Sequence, residues 1–216
     1  MAASVSTGSA GRSGRRAGTD ASILTSKITV PGRPNWAVPR PRLDRLIAGG
    51  IRGPLTALVG PPGIGKTLAM ASWAANEPPG PVAWVTLDEF DNTPRVMWSH
   101  VVTALRRADV QVPHASWAAA VDGMDHEFLV RLASALAAAE PPVILVLDDI
   151  HLLTERTALQ GLGYLMRNAL PGLRVIVASR IDPLLPLHRF RLSGELTEIR
   201  ADALAFSVAE SGLLMA

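Results

Sequence analysis

The sequence predicts an α/β fold in which a five-stranded parallel sheet is covered by helices on both faces. Five short apolar runs alternate with longer segments whose apolar residues recur at helical spacing. Strands buried on both faces are apolar throughout, and a helix between successive strands keeps them parallel. A glycine-rich loop, an acid pair and an arginine each follow one of these runs, which is typical of the ligand-binding edge of such a sheet.

The predicted strands are recognised by their short length and by the turn residues around them. Glycine and proline clusters bound most of the apolar runs, as expected for strands that end in tight turns. The sequence contains no internal repeat. The strands are expected at residues 55–59, 82–87, 143–147, 173–178 and 196–199.

Several predicted helices have a capping residue at their start or a glycine or proline at their end. Asp125 and Thr154 can each cap a helix, because their side chains can accept hydrogen bonds from the free N–H groups of a first turn. A capping box from Ser207 to Glu210 predicts the start of another helix. The remaining helices are expected at residues 42–48, 66–75 and 95–108.

Composition argues against several functional classes. The chain has 216 residues, no cysteine and no apolar run long enough to span a membrane, so disulfides, thiolate chemistry and a membrane span are not expected. The formal net charge of +2 is carried by the first 20 residues, which hold three arginines and one aspartate. Since the rest of the chain is neutral on balance, a basic face for nucleic acid is not predicted.

Three segments are expected along the chain. Residues 1–22 are rich in Ala, Ser, Gly and Arg and are interpreted as a disordered basic tail. An organellar transit peptide has the same Arg- and Ser-rich, acid-poor character and is the alternative. Residues 23–200 hold all five strands and are interpreted as one domain, and residues 201–216 begin a following helical segment.

A glycine-rich sequence, Gly-Pro-Pro-Gly-Ile-Gly-Lys-Thr, occupies residues 60–67 between the first strand and the next helix. This is the G-x-x-x-x-G-K-T pattern of a phosphate-binding loop, although a glycine-rich turn can carry it by chance. The two prolines lack an N–H, so the backbone donors begin at Gly63. Lys66 is expected to reach the β- and γ-phosphates, and the Thr67 hydroxyl to ligate Mg²⁺. The predicted nucleotide-binding residues here are Gly60, Gly63, Ile64, Gly65, Lys66, Thr67 and Leu68.

Charged residues follow two other predicted strands. Asp148 and Asp149 follow the third strand, and Arg180 follows the fourth. Asp148 is predicted to associate with Mg²⁺, which needs few carboxylate ligands. Asp149 is predicted to orient or deprotonate an attacking water, and Arg180 to contact the γ-phosphate. The alternatives are a surface acid pair in a turn and an exposed arginine, and His151 is interpreted as a turn histidine whose hydrogen bonds are satisfied.

Short segments in chain order extend this pattern beyond the phosphate loop. Val-Pro-Arg-Pro-Arg-Leu at residues 38–43, then the loop, then Trp-Val-Thr-Leu-Asp-Glu at 84–89 resemble the ATPase domain of the MalT-like large LuxR regulators, a family of signal-transduction (STAND) NTPases. The resemblance covers residues 23–216. The further similar segments are Leu-Asp-Asp-Ile-His at 147–151, Ala-Ser-Arg-Ile-Asp-Pro at 178–183, Gly-Glu-Leu at 194–196 and Ala-Leu-Ala-Phe-Ser at 203–207.

The resemblance implies a P-loop NTPase fold of the AAA+/STAND type and an ATP-dependent molecular switch. In the family, ADP favours a closed state, whereas inducer plus ATP opens and oligomerises the protein, and slow hydrolysis resets it. The implied cofactors are ATP or ADP and Mg²⁺, with self-association and a cytoplasmic location. By position, Arg40 or Arg42 would flank the nucleotide base, and Arg180 would sense the γ-phosphate. The resemblance leaves open which of Arg40 and Arg42 is the base-flanking residue.

The chain departs from the family pattern after the ATPase domain. The family continues with a winged-helix segment, a helical-repeat sensor and a C-terminal helix-turn-helix, whereas this sequence ends at Ala216. The chain is therefore expected to be truncated, either naturally or as a fragment. DNA binding is expected only of a full-length relative, so a nucleotide and a second copy are the predicted partners.

Two alternatives to an ATP-hydrolysing switch are open. One is a nucleotide-binding interaction module without useful turnover, or an inactive fragment, because the winged-helix segment that normally contacts the nucleotide is missing. The other is a kinase-like transferase that uses the same loop, although the sequence shows no recognisable acceptor site or lid.

Overall fold

The computed structural model describes residues 24–76, 78–113 and 126–214, and its centre is a sheet of five parallel strands. The strands are Leu55–Val59 (β1), Val82–Thr86 (β2), Val143–Asp148 (β3), Leu173–Ser179 (β4) and Leu196–Ile199 (β5). They lie in the order β2-β3-β4-β1-β5. The predicted α/β class, the strand number and the parallel arrangement are confirmed.

Helices join the strands and cover both faces of the sheet. They are Pro41–Gly50 (α1), Lys66–Ala74 (α2), Pro94–Arg107 (α3), His126–Ala137 (α4), Arg156–Asn168 (α5), Leu187–Leu192 (α6), Ala201–Leu204 (α7) and Val208–Leu214 (α8). Helices α3 to α6 contribute to the core on one face, and α1, α2 and α7 contribute to the core on the other. Among these helices, none is long and apolar enough to span a bilayer.

Successive residues of the central strands contribute to opposite faces, which explains why these strands are apolar throughout. In β3, Leu145 and Leu147 join the core with α3 to α6. Ile144 and Val146 join the core with α1 and α2. Because the side chains of a strand alternate, a strand covered on both sides needs an apolar residue at every position.

Three strands end at a different residue from the one predicted, and in two of them a further polar residue remains in the sheet. β2 ends at Thr86 rather than at residue 87, and β3 includes Asp148, which pairs in register with Thr86. β4 likewise includes Ser179, whose neighbour in β1 is Val59. The backbone ladder continues through polar residues, so an apolar run locates a strand but not its last residue. These polar ends bring chemically active side chains to the carboxyl edge of the sheet.

One predicted helix cap is wrong. The N-cap of α5 is Glu155, whose side chain accepts a hydrogen bond from the N–H of Ala158 at 2.6 Å, rather than Thr154. The N–H of Thr154 instead donates to Oδ1 of Asn92 at 2.7 Å, a contact with a distant segment that a local pattern cannot reveal. The other predicted cap, Asp125, lies outside the described residues.

Candidate phosphate- and metal-binding site

The polar residues predicted to act together lie at one edge of the sheet. The glycine-rich loop follows β1, Asp148 and Asp149 lie at the end of β3, and Arg180 follows β4. These three strands are neighbours in the sheet, so their carboxyl ends meet. The hydroxyl of Thr67, at the start of α2, donates a hydrogen bond to Oδ2 of Asp148 at 2.8 Å. The structure thus joins the loop directly to the acid pair, while the catalytic and binding roles of these residues remain predictions.

The conformation of the loop depends on two glycines with positive φ. Gly63 has a φ of 78° and Gly65 a φ of 88°, a region that costs other L-residues roughly 1–2 kcal/mol. The N–H of Gly60 donates to the carbonyl of Ser179 in β4 at 3.1 Å, which attaches the start of the loop to the sheet. Helix α2 begins at Lys66, so its positive N-terminal end follows the loop directly. A junction of this kind is suited to phosphate.

The side chain of Lys66 lies against the loop. Its ammonium group donates hydrogen bonds to the carbonyls of Gly60 at 2.7 Å and Pro61 at 3.0 Å. Burial lowers the pKa of Lys66, and the carboxylates of Asp149 and Asp148 oppose this shift. The ammonium group is therefore a partly desolvated cation with two acids nearby, and it can exchange its carbonyl partners for phosphate oxygens.

Asp148 is a buried carboxyl group suited to a divalent cation. It is 1% exposed, and burial raises its pKa to about 6, against the hydrogen bond from Thr67. Its second oxygen, Oδ1, accepts a hydrogen bond from the N–H of Asp149 at 3.1 Å. Ionising a buried carboxyl group is costly, and a divalent cation beside it would offset that cost.

The residue after Asp148 has an uncommon backbone conformation. Asp149 has a φ of 56° and a ψ of 37°, a left-handed conformation that few non-glycine residues adopt. Its carboxylate is half-buried and contributes to the electrostatic environment of both Lys66 and Asp148. Such conformations occur where the surrounding structure imposes them, and they are frequent at functional sites.

The prediction that His151 is a turn histidine with satisfied hydrogen bonds is wrong in its second part. His151 does lie in a 3₁₀ turn, but neither ring nitrogen has a hydrogen-bond partner among the described residues. Its Nδ1 lies 3.7 Å from Oδ1 of Asp149. Burial lowers the pKa of His151, and Asp149 opposes the shift. Its spacing of two residues from Asp149 is the sequence signal that could have placed it in this site.

Arg180 is an exposed cation at the same edge. It follows β4 directly and forms no ion pair within the part of the chain that the structure describes. Its charge lowers the pKa of both Lys66 and His151, so its guanidinium group lies within electrostatic range of the loop. An unpaired arginine at this position is available to an anionic ligand bound there.

A small pocket of about 70 Å³ adjoins the loop on the side of α1. Gly65, Leu68 and Phe206 form part of its wall. Arg40 also lines it: its Nη1 lies 3.4 Å from the carbonyl of Ile64, and its Cζ lies 4.2 Å from the ring centre of Phe206. The other lining residues are Arg33, Trp36, Ala37, Val38, Asp44, Ala69 and Ser72.

Arg42 is not among the residues that line this pocket. It holds the end of α7, where its Nη1 donates to the carbonyl of Ala203 at 2.6 Å and its Nη2 to that of Ala205 at 2.9 Å. Oε2 of Glu210 lies 3.4 Å from Nη2 of Arg42 and 3.4 Å from Nε of Arg40. The two arginines therefore have different positions, which the sequence left open because their partners are more than 160 residues away.

The predicted capping box at the start of α8 is present. The N–H of Glu210 donates to Oγ of Ser207 at 3.2 Å, and the N–H of Ser207 donates to Oε2 of Glu210 at 2.8 Å. The same oxygen of Glu210 lies beside Arg40 and Arg42. The carboxylate thus both caps α8 and attaches it to α1, so a helix of this short length has packing partners.

The sheet order, the glycine-rich loop after β1 and the acid pair at the end of β3 together define a P-loop ATPase of the AAA type. A model of the AAA ATPase domain (AAA_16) matches residues 41–177. This match includes the loop, both acids and three of the five strands in full. The chain belongs to the AAA ATPase domain family.

Curated relatives confirm the resemblance to the MalT-like regulators. The chain is 29% identical to the HTH-type transcriptional regulator MalT of Cronobacter sakazakii over 197 residues, which are 88% of this chain and 21% of that protein. It is 30% identical to MalT of Yersinia enterocolitica over 195 residues, with the same coverage of 88% and 21%. The chain therefore spans about a fifth of the length of the curated relatives it matches.

A solved structure supports the fold. The Walker-type ATPase paby2304 of Pyrococcus abyssi superimposes with a TM-score of 0.52 at 13% sequence identity. The superposition covers 85% of this chain and 58% of the other. At this identity the likeness concerns the fold alone.

Proposed function

We propose that this chain binds ATP or ADP together with Mg²⁺ and acts as the nucleotide-dependent switch domain of a MalT-like regulator. The observation that carries the proposal is the hydrogen bond between Thr67 and the buried Asp148. It links the end of a phosphate-binding loop, which follows β1, to a carboxyl group on β3, two strands away in the sheet. This is the pair of side chains that a magnesium–nucleotide site of this class requires.

The loop would hold the β- and γ-phosphates. The backbone N–H groups from Gly63 to Thr67 and the N-terminus of α2 supply donors. Lys66 would exchange the carbonyls of Gly60 and Pro61 for phosphate oxygens. The exchange replaces neutral acceptors by charged ones, so the hydrogen bonds become stronger.

The residues present fit a magnesium ion. Mg²⁺ usually keeps several waters and takes one or two protein oxygens plus phosphate oxygens. Thr67 and Asp148 would supply those protein oxygens, which are already in contact. Among the described residues there is no group of three or more His, Cys, Asp or Glu that could hold a metal, and a site of this type does not need one. When bound, the ion neutralises charge on the β- and γ-phosphate oxygens.

The base would enter the pocket beside Arg40. Leu68 and Phe206 offer the apolar surface that suits the faces of a purine, and Arg40 already stacks on Phe206. A pocket of about 70 Å³ is smaller than a purine ring system, so part of its wall must move. Trp36 and Phe206 are the large side chains with the most freedom there, since they are 74% and 42% exposed.

Turnover would depend on different residues from binding. Asp149 would orient or deprotonate the attacking water, and Arg180 would contact the γ-phosphate. Hydrolysis is proposed to be slow, and the alternative is a module that holds the nucleotide without turnover. A phosphate-release assay separates the two. Release that Asp149→Asn abolishes supports hydrolysis at this site, whereas no release from a chain that binds ATP supports the module.

The binding proposal is tested by titrating ATP in the presence of Mg²⁺ by calorimetry. Lys66→Ala removes the cation of the loop, so the affinity is expected to fall at least about tenfold. Arg95→Ala, which removes an exposed cation on α3 outside the site, is the matched control and should bind as the wild type does. Equal affinity of the wild type and Lys66→Ala would contradict the proposal.

The regulatory part of the proposal concerns a longer protein. Since the chain spans 21% of its MalT relatives, inducer recognition and DNA binding would belong to other parts of such a protein. We propose a cytoplasmic location, because ATP is found there, and ATP-dependent self-association. The DNA that follows codon 216 tests whether the chain is part of such a longer regulator. An in-frame helix-turn-helix supports it, and a stop codon directly after residue 216 contradicts it.

A further inference from the structure

A groove at the opposite edge of the sheet has no part in the proposed nucleotide site. Its volume is about 540 Å³, within the range of small-molecule pockets. Ile144 is the second residue of β3 and Arg174 the second residue of β4, and both line the groove. The groove therefore lies at the amino ends of strands whose carboxyl ends carry the acids and Arg180, with α1 and α2 as its walls.

The floor of this groove is apolar. Trp73 from α2, Ile144 from β3 and Ile51 after α1 form it, and each is largely covered by the surrounding core. Pro79 and Pro142 continue the apolar lining on the side of β2 and β3. A ligand with an apolar body can gain contact area here, and an aromatic ring can also stack on the indole or on guanidinium planes.

The rim of the groove is cationic. Arg45, Arg52 and Arg174 line it, and none of the three forms an ion pair within the described ranges of the chain. Arg174 is oriented by hydrogen bonds from its Nη1 to two backbone carbonyls, the shorter at 2.7 Å to Pro171. Within the described part of the lining, Asp44 is the single acidic side chain, so these residues carry a positive net charge.

We propose that this groove binds a small molecule with an apolar, preferably aromatic, body and one anionic group such as a carboxylate or sulfonate. The apolar floor would cover the body, and the three arginines would bind the anion by charge-assisted hydrogen bonds. A polyanion such as nucleic acid would leave the apolar floor uncovered. A neutral ligand would leave the arginines without a partner. This proposal does not depend on nucleotide binding at the other edge of the sheet.

A matched pair of fluorescent probes tests the predicted charge preference. The anionic probe is 8-anilinonaphthalene-1-sulfonate, and the neutral probe is N-phenyl-1-naphthylamine, which has the same ring system without the sulfonate. The dissociation constants of both are measured by titration with the wild-type chain. The anionic probe is expected to bind about tenfold or more tightly than the neutral one. Equal affinities, or affinities weaker than about 1 mM for both, overturn the proposal.

Variants locate the bound probe. Arg52→Glu and Arg174→Glu should each weaken the anionic probe about tenfold while leaving the neutral probe nearly unchanged. Ala48→Trp, on the exposed face of α1 that lines the groove, should block both probes. Arg95→Glu makes the same charge change on α3 and should bind both as the wild type does. Circular dichroism shows which variants are folded. Arg52→Glu is expected to fold, because the side chain of Arg52 is exposed and its replacement leaves the core intact.

Two further results test whether the anionic probe binds in this groove. Lys66→Ala should retain the anionic probe at wild-type affinity, because the groove and the loop lie at opposite edges. Loss of the probe in Lys66→Ala would show that it occupies the nucleotide site and would overturn the proposal. Equal weakening by Arg52→Glu and Arg95→Glu would show a non-specific charge effect and would also overturn it.

Discussion

Asp148 has a carboxyl group that the folded chain holds almost entirely out of water. Burial raises its pKa from 3.8 to about 6. Between these values the folded chain holds a proton that the unfolded chain has released. The free energy of unfolding therefore falls as the pH rises through this range, and it stays lower above pH 6. Keeping Asp148 ionised, as a metal would need it, therefore lowers the free energy of unfolding.

Asp148→Asn tests this cost, because an amide does not ionise. Without Mg²⁺ and nucleotide, the stability of the variant relative to the wild type should rise by about 2 kcal/mol between pH 4.5 and pH 7.5. Urea unfolding at the two pH values measures the difference. A difference between the two proteins that does not change with pH would contradict the raised pKa.

Gly65 illustrates a second constraint at the residue scale, the positive φ of 88° in the loop. Gly65→Ala should lower the free energy of unfolding by about 1–2 kcal/mol and weaken phosphate binding, because a Cβ is strained in this conformation. Gly49→Ala is the matched control. Gly49 lies in α1 with open space around it, so alanine there should stabilise the chain by about 0.5–1 kcal/mol. Equal effects of the two substitutions in urea unfolding would contradict this account.

At the scale of elements, a buried charge network joins three segments on one side of the sheet. Asp91 lies in the turn after β2 and is fully buried. Its Oδ2 accepts a hydrogen bond from Lys27 at 2.5 Å, and its Oδ1 lies 2.7 Å from Nδ1 of His100 in α3. The N–H of Asp88 also donates to Oδ2 at 2.7 Å. The network thus attaches the lead-in segment at Thr25–Ile28 and α3 to the end of β2.

Asp91→Asn should destabilise the chain by about 3 kcal/mol near neutral pH, because it leaves Lys27 partly buried without its closest counter-charge. Burial alone would raise the pKa of Asp91, but hydrogen bonds from His100 and Lys27 outweigh it and lower the pKa to about 2. The stabilisation that the Asp91 carboxylate provides is therefore present above the unfolded pKa of 3.8 and is lost as the pH falls through about 2.

The matched control for this network is Asp88→Asn. Asp88 is more exposed, and its distance to Lys27 Nζ is 3.0 Å, while asparagine retains the cap to the N–H of Phe90. Its effect on urea unfolding should be below about 1 kcal/mol. Similar losses for the two substitutions would show that the buried position of Asp91 is not what matters.

The elements themselves could be predicted from the sequence, but their ends and long-range contacts could not. The apolar runs located all five strands, because a doubly covered strand has little freedom in composition. The end of β3 was missed because Asp148 stays in the ladder opposite Thr86. The cap of α5 was missed because Asn92 binds Thr154 from another segment.

In the candidate site, likewise, local sequence patterns located some residues, whereas the positions of others depend on contacts with distant parts of the chain. The location of the loop, the acid pair and Arg180 at one edge of the sheet could be predicted, since each follows a recognisable strand. The separate positions of Arg40 and Arg42 could not, because they depend on Ala203 and on Glu210 far along the chain. The unpaired ring of His151 depends on how a 3₁₀ turn is packed, and no pattern in the sequence reports that packing.

At the scale of the whole molecule, the pocket proposed for the base and the last described helices share one set of contacts. Nη2 of Arg40 donates to the carbonyls of Leu204 at 2.6 Å and Ala205 at 2.8 Å, and its guanidinium group stacks on Phe206. Entry of a base beside Arg40 would therefore act directly on α7 and α8. This is the physical basis for proposing a switch. The domain boundary at residue 200 remains a prediction, and these contacts cross it.

The most direct test of the proposed magnesium–nucleotide site is a crystal structure of the chain grown with Mn²⁺ and a non-hydrolysable ATP analogue, with anomalous diffraction recorded for the metal. We expect one strong manganese peak beside the oxygens of Thr67 and Asp148. We also expect the β- and γ-phosphates against the backbone from Gly63 to Thr67. A metal peak elsewhere, or a nucleotide bound away from the loop, would contradict the account.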